Sequence, residues 1–230
     1  MFKLLVSVKM HAALTSGENL PMLNAGALAF TEFAMREPLP LATIHDAVLE
    51  FLRDRTDAIL FGAQAVNAYV HEARMTQDVD LLSTRAPELA DELRAYLSLR
   101  FQIAVRVREI GDGRGYRLYQ VRSSGNRHLV DIRPIRQLPL AQRIERVLVV
   151  SPPELIAYKV ISYHQRKGKP KSGTDWRDLA MLLLAFPDLK REAGEVKDRL
   201  MVAGADAPVL SLWSDLVRQA IVPEDDDEEF

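Results

Sequence analysis

The chain contains no cysteine. Disulfide staples, thiolate metal sites and a cysteine nucleophile are therefore excluded, and the composition is compatible with a reducing compartment. Long apolar runs are missing too. Leu4 to Val8 is apolar, but Lys9 and His11 interrupt it before it reaches the length of a signal-peptide core. No other stretch approaches the roughly 20 uncharged apolar residues of a membrane helix, so the expectation is a cytoplasmic protein with no membrane partner. A charge excess of one sign is likewise lacking. The formal net charge of -2 averages an acidic tail, Glu224 to Glu229, against a basic cluster, Arg166 to Lys171, so it selects no partner. The five histidines show no metal-ligand spacing, and no Gly-x-Ser-x-Gly elbow or Walker lysine occurs. Hydrolase and P-loop readings fail on that ground.

What is present is enough apolar residue, 48% of 230, to bury a sizeable core. Residues 1–40 read as an extension of unassigned role ending at Pro38 and Pro40. From Leu41 the residues Ile44, Val48, Phe51 and Leu52 recur at helical spacing, and 57–61 then reads as a buried strand ending at Gly62. A short helix over 64–69, a strand over 77–82 and a helix over 86–99 follow. Three strands come next without an intervening helix, at about 102–109, 116–121 and 128–132, separated by Gly-rich and Ser-Gly-Asn turns that predict an antiparallel meander. Gly111-Asp112-Gly113-Arg114-Gly115 is therefore a hairpin turn and not a dinucleotide fingerprint, because no helix opens there. Ser151-Pro152-Pro153-Glu154 predicts a capping box that starts a helical region, with helices over 152–166, 174–186, 189–203 and 207–220. The fold class expected is α/β: a mixed, largely antiparallel small sheet with flanking helices over 41–148, a helical domain over 149–222, and an acidic tail over 223–230.

The chemistry gathers in the sheet region. Alternate strand residues share a face, so Asp78 and Asp80 are predicted to project together while Val79 and Leu81 face the core. Two carboxylates so close repel unless a cation joins them, and hard oxygen ligands favour Mg²⁺ or Mn²⁺. In the strand His128-Leu129-Val130-Asp131-Ile132, Val130 and Ile132 form one face and Asp131 points the other way, as a third ligand from a neighbouring strand. Upstream, a strand ending at Gly62 runs directly into a helix, so N–H groups from Ala63 onward are placed to receive triphosphate oxygens.

Through Phe61 to Tyr69, Arg74-Met75-Thr76-Gln77-Asp78-Val79-Asp80 and Asp131, the chain resembles the DNA polymerase β-type nucleotidyltransferase superfamily, and within it the AbiEii-like branch. The resemblance is tight over 57–83 and looser at Lys159 and Asp175-Trp176-Arg177-Asp178. It implies that Asp78 and Asp80 bind metal, Asp131 joins them and positions the attacking hydroxyl, and Gly62, Ala63, Arg74, Thr76 and Lys159 serve the nucleotide. The implied reaction moves a nucleoside monophosphate from a nucleoside triphosphate to a hydroxyl of RNA, protein or a small molecule with Mg²⁺ or Mn²⁺. That branch includes toxins, which implies a cognate antitoxin as partner. The chain departs from the family at Ala63, where a second glycine or a serine is usual; alanine keeps the N–H but loses the hydroxyl and restricts the backbone.

Other readings stand beside these. A catalytically weak nucleotide-binding or protein-interaction module of the same fold is one alternative. An antibiotic-modifying transferase is another, with Glu72, Glu109 and Asp112 as the acidic residues for a cationic acceptor. Arg74 reads equally as a surface residue or as a partner of Asp78, Asp80 or phosphate. Lys159 borders an apolar stripe formed by Ile156, Val160 and Tyr163, as a snorkelling lysine does. Asp175 and Asp178 read as first-turn residues complementing a helix dipole, and 166–171 as a solvated loop.

Overall fold

The computed structural model describes residues 39–223; the expected turns before Pro38 and the acidic run after Pro223 lie outside them. In chain order the elements are α1 (Leu41–Leu52), β1 (Ala58–Phe61), α2 (Gly62–Asn67), β2 (Val79–Ser83), α3 (Ala86–Phe101), β3 (Val105–Ile110), β4 (Gly115–Gln120), β5 (Arg127–Pro134), β6 (Ala141–Ile144), β7 (Val147–Val150), α4 (Pro152–Gln165), α5 (Lys171–Ala185), a 3₁₀ turn (Pro187–Leu189), α6 (Glu195–Val202) and α7 (Ala207–Arg218).

The strands form one seven-stranded sheet in the order β3-β4-β5-β2-β1-β7-β6. Four of its six pairings are antiparallel; β2 with β5 and β1 with β7 are parallel. The mixed, largely antiparallel α/β architecture expected from the sequence is thus the observed one, including the β3-β4-β5 meander and its Gly111–Arg114 turn. The apolar row Val107, Leu118, Val130 and Val79 runs across four strands. It lies on the face against which α3 packs, with Leu89, Leu93 and Leu97 fully buried there. The opposite face carries the row Arg108, Arg117, Asp131 and Asp80. Beyond the sheet, α4 packs against α5, α6 and α7, and both α4 and α5 touch α2.

Five local details differ from the reading of the sequence. The β6-β7 hairpin is not apparent from the sequence, because its two-residue turn uses Glu145 and Arg146, both at positive φ (48° and 72°), where Gly or Asn would have signalled it. The expected boundary between residues 148 and 149 falls within β7. The capping box at Ser151 does not form. Pro153 removes the N–H at one capping position, Glu154 instead pairs with Arg199, and the Ser151 N–H donates to the Leu140 carbonyl at 2.9 Å. Strand β2 begins at Val79, so Asp78 sits on the loop entering it. Helix α5 begins at Lys171, so Asp175 and Asp178 lie past its first turn, and both are buried.

Candidate metal centre

Three carboxylates meet where β2 and β5 run in parallel. Asp80 and Asp131 are direct partners in the ladder, and Asp78 precedes β2 by one residue. The position of Asp78 is fixed from its own loop: buried Thr76 donates its Oγ1 hydrogen to the Asp78 carbonyl at 3.1 Å. That loop is in turn clamped to α2 by Asn67, whose side chain donates to the Arg74 carbonyl at 2.8 Å and accepts from the Arg74 N–H at 3.0 Å.

His128 joins the cluster. Its Nδ1 lies 3.2 Å from Asp78 Oδ2 and its Nε2 lies 3.0 Å from Asp131 Oδ1. One ligand atom from each of Asp78, His128 and Asp131 lies within 4.8 Å of the others. Arg117, opposite Asp131 in the ladder, adds a 2.8 Å ion pair to the same oxygen. Sequence reasoning missed His128 because strict alternation sends residues three apart to opposite faces. The register of β4 against β5 slips between Leu118 and Tyr119, so Leu129 is an extra residue and His128 is re-aimed to the face of Asp131. The one local sign was the adjacent apolar pair Leu129-Val130, both buried, which breaks the period of two.

Electrostatics divide the carboxylates. Burial, with the neighbouring charge of Asp78 and a smaller push from Asp131, raises the Asp80 carboxyl to about 6 against the opposing charges of Arg133 and Lys159. Burial also pushes Asp131 up, but the His128 hydrogen bond and the His128 and Arg117 charges outweigh it and hold this carboxyl below its usual range. His128 is raised above its ordinary value by the Asp131 hydrogen bond, against its own burial. A cluster of clashing carboxylates with one imidazole fits a divalent cation, whose charge would remove the repulsion felt by Asp80.

The residues expected to serve the nucleotide are placed as follows. Gly62 has φ +71°, and a Cβ placed on it would come 2.1 Å from Asp80 Oδ2. Ala63 follows as the second residue of α2 and is buried. Arg74 and Lys159 do not touch the aspartates of the cluster through any hydrogen bond. Arg74 grips the buried Asp178 with two bonds, at 2.6 and 2.9 Å, and Lys159 Nζ donates to the same carboxylate at 2.6 Å. Burial pushes Asp178 up, yet the Arg74 hydrogen bond and the Lys159 charge hold it below the usual range. Asp175 takes two hydrogen bonds from Arg166. Asp175 and Asp178 therefore bind cations rather than cap a helix, and Lys159 is a buried ion-pair partner rather than a snorkelling surface lysine. Glu72, Glu109 and Asp112 are exposed, and Glu72 stands 3.7 Å from Arg177.

Residues 46–229 match the family described as "Nucleotidyl transferase AbiEii toxin, Type IV TA system", and the chain belongs to that family. No curated protein sequence matches it. Among solved structures, the Megavirus polyadenylate synthase is similar at 13% identity and a TM-score of 0.51, over 64% of this chain and 32% of that one. The chain therefore spans about a third of that enzyme's length. A Helicobacter pylori protein, JHP933, is similar at 12% identity and a TM-score of 0.50, over 83% of this chain and 92% of its own. An H. pylori protein described as a nucleotidyltransferase aligns at 14% identity and a TM-score of 0.51, over 82% and 95% respectively. These likenesses establish a nucleotidyltransferase fold. Among the described residues, no helix is long and apolar enough to cross a membrane.

Proposed function

We propose that this protein transfers a nucleoside monophosphate from a nucleoside triphosphate to an acceptor hydroxyl, with Asp78, Asp80 and Asp131 holding Mg²⁺ or Mn²⁺. The observation that carries this reading is the pairing of Asp80 with Asp131 across β2 and β5, beside Asp78 and against the bare Cα of Gly62. A divalent cation bound there supplies electrostatic stabilisation to the charge that develops at the α-phosphate and on departing pyrophosphate.

The chain's own groups supply the rest. Asp131, held ionised by His128 and Arg117, accepts a hydrogen bond from the attacking hydroxyl and positions it. Backbone N–H groups at Gly62 and Ala63 would receive phosphate oxygens, and the missing side chain of Gly62 leaves room for the Asp80 carboxylate beside them. Arg74 brings positive charge from the loop before β2 and Lys159 from α4, and Asp178 sets where both head groups stand. Thr76 acts through Asp78 by fixing its backbone. The acceptor class is RNA, protein or a small molecule, the setting is a cytoplasmic toxin-antitoxin pair, and a cognate antitoxin is the expected protein partner. A second reading, a nucleotide-binding module with weak catalysis, draws on Ala63 and on the neutralisation of Arg74 and Lys159 by Asp178.

The test is incubation with each α-labelled triphosphate, Mg²⁺ or Mn²⁺, and total RNA or cell extract, comparing wild type with Asp78→Ala/Asp80→Ala. Label transfer that disappears in the variant supports the enzyme. Triphosphate binding without transfer to any acceptor favours the module, and absence of metal-dependent triphosphate binding overturns both.

A further inference from the structure

A histidine joins the three carboxylates at the centre, and the backbone is bent to deliver it. On an unbroken β5, His128 would face the apolar side of the sheet with Val130 and Ile132. The extra residue at Leu129 turns the strand so that Leu129 and Val130 are both buried while His128 emerges beside Asp131. The ring then stands on Tyr119, its ladder partner, with centroids 5.2 Å apart and planes inclined by 32°. Its two nitrogens address carboxylates from two different elements, Asp78 on the loop before β2 and Asp131 on β5. A side chain that only diluted negative charge would need neither the strand irregularity nor a fixed ring. Arg117 already serves Asp131 in that capacity from an ordinary ladder position.

We propose that His128 is a metal ligand of this centre, forming with Asp78 and Asp131 a mixed nitrogen and oxygen set that favours Mn²⁺ over Mg²⁺. The inference rests on the reading of the centre as a metal site. Its physical basis is ligand chemistry. Magnesium dehydrates reluctantly and is served by one or two carboxylates and retained waters, whereas imidazole is a ligand of transition ions. The three ligand atoms already lie within 4.8 Å of one another, close enough to be shared by one ion. An all-carboxylate set of the kind expected from the sequence would not make this distinction. Asp80 stays outside the three-residue group and remains as a carboxylate for magnesium or for the nucleotide-bound ion.

The decisive measurement is pulsed EPR of full-length wild-type protein loaded with Mn²⁺, read for the ¹⁴N coupling of a directly bound imidazole. The expected result is a coupling in wild type that vanishes in His128→Ala. Calorimetric titration then compares Mn²⁺ and Mg²⁺: His128→Ala and His128→Gln lose on the order of tenfold or more in Mn²⁺ affinity, no less than the loss of an outer-shell partner costs, while Mg²⁺ affinity changes little. Absence of the ¹⁴N coupling in wild type overturns the proposal without reliance on any variant. So does Mn²⁺ affinity that is unchanged or tighter in a folded His128→Ala, because that outcome makes the histidine a spacer. Asp78→Asn/Asp131→Asn separates the two levels. If this variant binds both ions as wild type does, the centre itself is misassigned. If it loses both while His128→Ala does not lose Mn²⁺, only the histidine assignment falls.

Discussion

Gly62 and Asp80 occupy each other's space: a Cβ on Gly62 would sit 2.1 Å from Asp80 Oδ2, 2.7 Å from its Cγ and 2.8 Å from its Cβ. The left-handed φ of +71° independently favours glycine at this position. Gly62→Ala should therefore combine roughly 1–2 kcal/mol of backbone strain with about 1–3 kcal/mol of overpacking. Because the group displaced is the Asp80 carboxylate, metal affinity should fall together with stability. Chemical denaturation and Mg²⁺ titration of the variant check this, and a wild-type titration curve in a destabilised Gly62→Ala would show that Asp80 is not a ligand.

Asp178 holds together two cations from distant parts of the chain, Arg74 from the site loop and Lys159 from α4. Its side chain has no exposure, so Asp178→Ala leaves two part-buried charges without their anion. A loss of about 3–5 kcal/mol is expected, measured as a fall in the denaturation midpoint. Adding Lys159→Met should restore part of that loss by removing one stranded charge. If the double variant is no more stable than Asp178→Ala, the lysine and aspartate are not energetically coupled.

What could be read from the sequence was what local periodicity encodes. Gly62, the Asp78 and Asp80 spacing, the three-strand meander and the helices after Ser151 all leave marks within a window of ten residues. The pairing of β2 with β5 does not, because its partners are some fifty residues apart and parallel; only the outward position of Asp131 hinted at it. The Glu145-Arg146 turn and the irregularity at Leu129 were hidden for a related reason, since each uses ordinary residues in an unusual backbone state. Asp178 was misread as a capping residue because the four residues before Asp175, Lys171 to Thr174, do not look like a helix start, and its true partners lie 19 and 104 positions away.

Removal of divalent ions should be visible in stability as well as activity. A ligand that binds only the folded state at a hundredfold excess over its Kd contributes about 2.7 kcal/mol. For a domain of this size that corresponds to a rise of roughly 5 to 10 °C in Tm. Differential scanning fluorimetry with Mn²⁺ should show the rise, EDTA should reverse it, and Asp78→Asn should abolish it. A shift that persists at full size in Asp78→Asn would locate the ion elsewhere.

His45 gives the protein an acid-sensitive core away from the carboxylates. It lies on the buried face of α1, its Nδ1 stands 3.4 Å from the amide of Gln64 in α2, and its Nε2 has no hydrogen-bond partner among the described residues. Burial, helped by the charge of Arg127, lowers it from 6.5 to about 4. The folded state thus binds fewer protons than the unfolded state between these values, so the contribution is complete above pH 6.5 and is lost as pH falls toward about 4. The slope in that window is ~1.4 kcal/mol per pH unit and the total about 3 kcal/mol. Asp80 and His128, both raised in the folded state, act in the opposite sense, so the quantity to measure is the difference between wild type and His45→Leu. That difference should shift in favour of His45→Leu by about 3 kcal/mol between pH 7 and pH 4. A difference that does not vary with pH would mean that His45 keeps an ordinary proton affinity in the fold.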